Sequence, residues 1–410
     1  MKETKTMLRT TAFLVAAVVV VGGCGNNGIK PAPPSVRGCW GSGCAMVTTS
    51  HYNPDFSGVG TLNAVDMAQS KIVKAIDTSL DPDVTMYASA DDNKLYVLNR
   101  TIGSLRRYDF AMLDVEEEIA TGSSDAPNTT SAPFDFWRDP ASTKIFVTLA
   151  GNDAAHALGV LDESMPDGGV TAFVNVPADA ADSDGNPELS SLYACNGSIY
   201  ALSQSYTYMG ADVSYAEGRI AIVDVKTNTF SGFITLAGKN PGAIVAEGDD
   251  CSKVLVATSA DLTTPPDGTA GIERVDLTAK TTSGFITLDT ALGGRPFSLT
   301  KVSSKLWYVG MYFDPQPDAT GKLVLGSAKV VAYDPSTSSV GGDATGKAGF
   351  INFVQLGNDQ ELYVGVGAFA GTSDSTKLAQ GLYIGKADGS MILTAPIDLG
   401  DTPSAIAFQP

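Results

Sequence analysis

The sequence predicts an all-β fold: a single seven-bladed β-propeller of four-stranded antiparallel blades, closed by pairing of its N- and C-terminal strands within one blade. Three observations predict it. The hexapeptide Ser-Gly-Phe-Ile-Thr-Leu occurs at 231–236 and again at 283–288, 52 residues apart. A short strand ending in an apolar residue and Asp recurs at Val65-Asp66, Tyr108-Asp109, Leu161-Asp162, Val223-Asp224, Val275-Asp276 and Tyr333-Asp334, with a degenerate seventh member at Ile384-Gly385-Lys386. The two ends of the chain supply complementary parts of one unit. Intervals of 43 to 62 residues between the marks suit four short strands and their turns, not a helical repeat.

Taken in chain order, residues 1–23 read as an export signal. Lys2, Lys5 and Arg9 give a positive start, and Thr11 to Val21 is an apolar run of 11 residues, short of the roughly 20 needed to span a bilayer. The run ends in Val21-Gly22-Gly23-Cys24, which resembles the bacterial lipobox. That resemblance implies cleavage before Cys24, lipidation of its thiol and attachment to the cell envelope; Gly25 in place of Asp after the Cys points to the outer membrane. Residues 24–38 are rich in Gly, Asn and Pro without apolar periodicity, as expected of a flexible tether. The propeller is expected over 39–410.

Each unit contains a strand of alternating apolar residues after a turn: Lys94 to Asn99, Lys144 to Thr148, Ser198 to Leu202, Lys253 to Ala257, Lys305 to Val309, Glu361 to Gly365 and, more weakly, Cys44 to Thr48. Another strand precedes it, often after Pro: Val84 to Ser89, Pro133 to Trp137, Leu189 to Ala194, Pro241 to Ala246, Pro296 to Lys301, Gly349 to Val354 and Pro403 to Phe408. The most helix-like stretch, Val59 to Ile76, is assigned to two strands. Because the first unit lacks the inner strand and the last ends on one, a shared blade closes the ring and leaves no long unpaired edge.

Lys94-Leu-Tyr-Val-Leu-Asn99, Arg219-Ile-Ala-Ile-Val-Asp224 and the Gly-x-x-Pro-x-x-Ile pattern at Gly400 to Ile406 resemble the YVTN-type β-propeller repeat, over nearly all of the exported chain. The resemblance implies a scaffold of surface and periplasmic proteins that mostly bind or display, with lactonases and quinoprotein subunits among related propellers. Fold does not fix function.

In this blade order one face collects the long loops 50–58, 151–157, 203–217, 258–270, 311–326 and 367–380. They carry the binding-face candidates His51, Tyr52, Tyr206, Tyr208, Tyr215, Tyr312 and Phe313, together with His156, Phe56 and Phe369. Aromatic rings among Asp, Asn and Gly suit a protein or glycan surface, and they equally suit packing of the loops onto the blades. Asp182, Asp184, Asn186 and Glu188 alternate around Gly185 in the spacing that wraps a hard cation such as Ca2+. Ala180 and Ser191 break the EF-hand pattern, and an Asp/Asn/Gly turn accounts for the same letters.

Removal of 1–23 leaves 24 Lys and Arg against 44 Asp and Glu, a net charge of −20, which argues against nucleic acid and leaves the lipid anchor as the membrane attachment. With 2 His in all, and no Cys-x-x-Cys-His or Gly-x-Ser-x-Gly, a three-His metal centre, haem attachment and a serine-hydrolase elbow have no residues to build them. Gly341 to Lys347 starts like a phosphate-binding loop but has Ala348 at the hydroxyl position, so it reads as an inter-blade turn. No cofactor is expected beyond Ca2+. With Cys24 lipidated, four Cys remain in an oxidising compartment: Cys195 and Cys251 occupy the same hairpin of adjacent units and are expected to bond, and Cys39 and Cys44 to close a local loop. The functional expectation is a lipid-anchored binding or scaffold protein, the competing one a lactonase-like or other hydrolase with a carboxylate-held metal at the central channel.

Overall fold

The apolar-Asp marks end the third strand of blades 1 to 6, and in blades 3 to 6 the Asp side chain is seen to cap the turn that follows. Asp162 Oδ1 accepts from Ser164 N, Asp224 Oδ1 from Thr227 N, Asp276 Oδ1 from Thr278 N and Ala279 N, and Asp334 Oδ1 from Ser336 N, at 2.7–3.0 Å. Hydroxyl bonds from Ser164 and Ser336 at Asp162 and Asp334, and the backbone bonds from Thr227 and Ala279 at Asp224 and Asp276, lead in holding these four carboxyl groups below the usual carboxylate range.

The computed structural model describes residues 44–52, 58–110, 113–122, 133–150, 152–165, 169–180, 182, 184–209, 212–261, 266–313, 316–317, 323–324, 327–367, 377–388 and 395–409. All belong to the unit that runs from Cys39 to Pro410. The export signal, Cys24 and the tether lie outside the described residues. Among the described residues no helix is long and apolar enough to cross a membrane.

Seven antiparallel sheets form the blades. From the inner strand outward, blade 2 is Val84–Ser89, Lys94–Asn99, Ser104–Asp109 and Val115–Ala120; blade 3 is Pro133–Arg138, Lys144–Leu149, Leu158–Asp162 and Val170–Val174. Blade 4 is Leu189–Cys195, Ser198–Ser203, Arg219–Asp224 and Thr229–Thr235; blade 5 is Pro241–Ala246, Lys253–Thr258, Gly271–Asp276 and Thr281–Thr287. Blade 6 is Gly294–Lys301, Trp307–Phe313, Ala328–Asp334 and Ser339–Asp343. Blade 7 holds Phe350–Leu356, Glu361–Gly367 and Gly381–Lys386, and a lone bridge from Leu382 to Ile397 marks the place of its fourth strand. It thus shows three full strands where four are expected, and residues 389–394 lie outside the described residues.

Blade 1 closes the ring. Cys44–Tyr52, Gly58–Asp66 and Lys71–Leu80 pair in order, and the C-terminal strand Thr402–Phe408 pairs with Cys44–Tyr52 from the inside, Ala45 opposite Phe408 and Val47 opposite Ile406. The stretch with helical periodicity lies within two of these strands because each has an unpaired neighbour to satisfy, a condition that local pattern does not record.

Blades pack face to face, so the core is divided among the gaps between them. Tyr96, Leu98 and Leu105 of blade 2 meet Phe136, Ile145 and Val147 of blade 3, and equivalent clusters fill each following gap round to Ala45, Val47 and Ile406 of blade 1 against Tyr363 and Leu382 of blade 7. Burying one such side chain stabilises by about 1.5–3 kcal/mol.

A girdle of polar bonds runs along the inner strands. Ser50 Oγ donates to Pro82 O, Thr85 Oγ1 to Phe134 O at 3.1 Å, Leu192 N to Asp135 Oδ2 at 2.8 Å, and Ser191 Oγ to Gly242 O at 2.9 Å. Ser259 Oγ donates to Pro296 O at 2.7 Å, Thr300 Oγ1 to Val354 O at 2.6 Å and Asn352 Nδ2 to Pro403 O at 2.7 Å. One such bond spans each of the seven junctions. The inner strands converge on the axis, where space admits few apolar side chains, and their groups without ladder partners bond to the next blade.

Cys195 and Cys251 are bonded, joining the end of the inner strand of blade 4 to the first turn of blade 5. Cys44 is disulfide-bonded; Cys39, its expected mate, lies outside the described residues. Gly341 to Lys347 is the end of the outer strand of blade 6 and a turn, in which Asp343 Oδ1 accepts from Thr345 N and Gly346 N.

Candidate functional site: a carboxylate cluster under the long-loop face

Antiparallel pairing sends the loops between second and third strands, and the connectors from outer strand to next inner strand, to the same end of the blades. The long loops and the 175–188 connector therefore share one face. Two of the loops form hairpins of their own, Tyr206–Met209 with Asp212–Tyr215 and Gln316–Pro317 with Leu323–Val324. The first stands over the connector that enters blade 4.

At that point Asp182, Asp184 and Glu188 converge, with one carboxylate oxygen from each lying within 4.8 Å of the others. Asp182 is 7% exposed and Glu188 2%, whereas Asp184 is exposed. Asp182 Oδ1 accepts from the Thr207 hydroxyl at 2.7 Å and from Asp184 N at 3.4 Å, while no amide, hydroxyl or ammonium group among the described residues donates to its buried Oδ2. Glu188 Oε2 accepts from Tyr206 N at 3.1 Å, and Asp184 Oδ1 from Asn186 N at 2.9 Å. Asn186, the fourth residue of the expected set, donates its backbone N–H to Asp184 within the same turn.

Burial, reinforced by the charges of Asp182 and Asp184, pushes the Glu188 carboxyl up to about 9. Burial likewise raises Asp184, with Asp182 adding to it. Arg219, a cation that interacts with Asp182, pairs with Asp179 at 3.3 Å and lies over the Phe233 ring at 4.1 Å. Its guanidinium is itself held below its ordinary range by burial. The cluster therefore carries more negative charge than the donors around it can offset, the arrangement in which a carboxyl keeps its proton or a cation is taken up.

A simpler version stands at blade 2. Asp81 on the connector accepts from Thr101 N and Ile102 N of the loop above, at 2.7 and 2.6 Å. One carboxylate with two donors is enough to tie a loop down. Blade 4 puts three carboxylates in the equivalent place.

The aromatic candidates are largely turned to packing. Tyr206 and Tyr215 face each other across the hairpin, ring centroids 5.9 Å apart. Tyr312 stacks on Phe297 at 4.3 Å, and Lys329 lies 5.7 Å from the Phe313 ring. Tyr52 ends its strand opposite Gly58, and Tyr208 pairs with Val213 in the hairpin. His51 Nδ1 meets Asp401 Oδ1 at 3.0 Å and His156 Nδ1 meets Asp153 Oδ1 at 2.7 Å. The two histidines belong to blades 1 and 3 and each bonds to its own Asp. Phe56 and Phe369 lie outside the described residues.

Sequence spacing singled out the acidic residues but not Thr207, Tyr206 N or Arg219, which come from a loop and strand beyond position 200. The signal for Thr207 is weak: a polar β-branched residue between two Tyr in a loop otherwise rich in exposed types.

No family model matches the chain, and no curated protein matches it. Solved structures do. The chain is similar to a dihydro-heme d1 dehydrogenase, NirN, solved in complex with DHE, at 14% identity, with 88% of this chain and 74% of that one covered and a TM-score of 0.50. It is also similar to the β-propeller domain of Cps50 (Swd1) from Myceliophteria thermophila, at 10% identity, covering 78% and 94%, with a TM-score of 0.53. At such identities the likeness shows the fold alone.

Proposed function

We propose that this protein is a binding module of the bacterial cell envelope, held to the outer membrane through a lipid on Cys24, whose long-loop face engages a protein or glycan partner. The observation that carries the reading is the asymmetry of the ring. One end of a rigid propeller gathers the long loops, two of which build hairpins of their own, and the hairpin Tyr206–Met209 with Asp212–Tyr215 carries Tyr206, Tyr208 and Tyr215. The YVTN-type repeat read from 94–99 and 219–224 belongs to this proposal, as does a hard cation, Ca2+, serving as a structural part of the face.

Three converging carboxylates are also what a metal-dependent hydrolase needs. Here two of the three are buried, Asp182 and Glu188 at 7% and 2% exposure, beneath the hairpin. A substrate reaches Asp184 but not the other two, which favours a structural role over turnover.

Binding of the purified protein to a glycan array and to envelope fractions, compared with a Tyr206→Ser/Tyr215→Ser variant, tests the reading. Binding that the variant loses supports it. Lactone or ester hydrolysis that disappears in Glu188→Gln overturns it. For the anchor, Cys24→Ala is expected to move the protein from the membrane to the soluble fraction on cell fractionation.

A further inference from the structure

We infer that Asp182, Asp184 and Glu188 are the ligands of a structural Ca2+ that pins the Tyr206–Tyr215 hairpin onto the connector entering blade 4. The cluster's acidity alone would not carry this. The second observation is Asp182 Oδ2, an oxygen of a side chain more than nine-tenths buried to which no amide, hydroxyl or ammonium group donates among the described residues, the Asp182 carboxyl lying in hydrogen-bond reach of the Asp184 and Glu188 carboxyls. Its sister oxygen is committed to Thr207 and to the backbone of Asp184. A buried carboxylate oxygen without a donor is costly, and a coordinated cation removes that cost.

An all-oxygen donor set suits a hard cation. Oxygens on one cation stand no farther apart than twice the metal–oxygen distance, about 4.6–5.2 Å for Ca2+ and about 4.0–4.2 Å for Mg2+. The three oxygens lie within 4.8 Å of one another, close enough for one Ca2+ to bridge, whereas Mg2+ demands near-ideal octahedral geometry and gives up its water reluctantly. The exposed Asp184 gives access to water, which with backbone carbonyls completes the shell of a hard cation.

The hairpin is part of the site. Thr207 holds one oxygen of Asp182, Tyr206 N holds Glu188 Oε2, and Gln204 N bonds to Glu188 O at 3.3 Å. Neutralising the carboxylates keeps them buried and so keeps the hairpin seated. Without the cation the same groups stay buried only by retaining a proton. The charged groups facing them are Asp179 and Arg219, which pair with each other, and Glu217, which lies near Arg219. The site stands on its own geometry; only its consequence for partner binding rests on the proposed role of this face.

The test uses the purified full chain in detergent at pH 7.5, stripped with chelator and titrated with CaCl2 or MgCl2. Millimolar Ca2+ is expected to raise Tm by about 2 °C or more and to slow chymotryptic cleavage within 204–217 about tenfold, with Mg2+ giving less than half of either effect. Glu188→Gln keeps an acceptor for Tyr206 N and is expected to lose both Ca2+ responses while melting in chelator at or above the wild-type temperature. Asp184→Asn, at an exposed position, is expected to weaken the Ca2+ response at least tenfold in concentration. An absent Ca2+ response, an equal Mg2+ response, or a Glu188→Gln protein that still responds overturns the assignment. No partner enters these measurements, so their failure leaves the binding reading standing, and failure to find a partner leaves the ion site standing.

Discussion

At Glu188 the protein holds a carboxyl that ionises only near pH 9, and the sign of its effect follows from linkage. The folded state keeps a proton that the unfolded chain releases above about pH 4.5, so its stabilising share is full below that pH and is lost as pH rises towards 9. In chelator, stability measured by urea denaturation is expected to fall across this window in wild type and to be flatter in Glu188→Gln. Asp135 behaves in the same sense over a lower window. Burial raises it to about 6, against the hydrogen bonds from Leu192 N and Phe136 N that favour its charged form. Its contribution is lost between about pH 4 and 6, and Asp135→Asn should flatten that segment by on the order of 1–3 kcal/mol in a pH series of denaturation curves. Both residues are carboxylates within a junction between elements, which is why neither has the low value of the turn-capping Asp residues.

Among the elements, the outer strands of blades 4 and 5 explain the hexapeptide repeat. Gly232 and Gly284 sit at register shifts where the outer strand bulges against the third strand, with φ of +137° and +68°. A Cβ at 284 meets only Arg274 Nη1 at 4.0 Å, so the backbone, not crowding, demands Gly there. Gly284→Ala should cost about 1 kcal/mol. The disulfide is the other inter-element device. It closes a span of 56 residues between neighbouring blades, and loop-closure entropy assigns such a crosslink about 4 kcal/mol. Cys195→Ser/Cys251→Ser is expected to lose that much or less in equilibrium unfolding, because Tyr193 OH still bonds to Cys251 O across the same junction at 2.9 Å.

Across the whole molecule, stability rests on ring closure. The strand Thr402–Phe408 is the inner strand of blade 1, and it carries Ile406 into the gap with blade 7 and accepts from Asn352 Nδ2 through Pro403 O. Deletion of 402–410 is expected to abolish cooperative unfolding, read as a broad, shallow melt by circular dichroism. A circular permutant that joins the natural ends by a short linker and opens the exposed turn at 226–228 should melt cooperatively, since the strand pairings are all retained.

The sequence by itself determined the number of blades, the order and approximate positions of the inner and second strands, the shared closing blade and the Cys195–Cys251 bond. All of these are written in short-range signals that recur: alternation, Pro before an inner strand, and Asp where a turn needs its cap. Strand ends shift by up to four residues, as where Lys305–Val309 is expected and Trp307–Phe313 is found. Tertiary structure alone decided how the acidic run 182–188 is buried. Local spacing fits an Asp/Asn/Gly turn as well as an ion site, and what separates them is the burial of Asp182 and Glu188 beneath a hairpin some twenty residues farther on. The energy of a carboxylate depends on the water and donors around it, and those are set by which loop the closed ring places overhead.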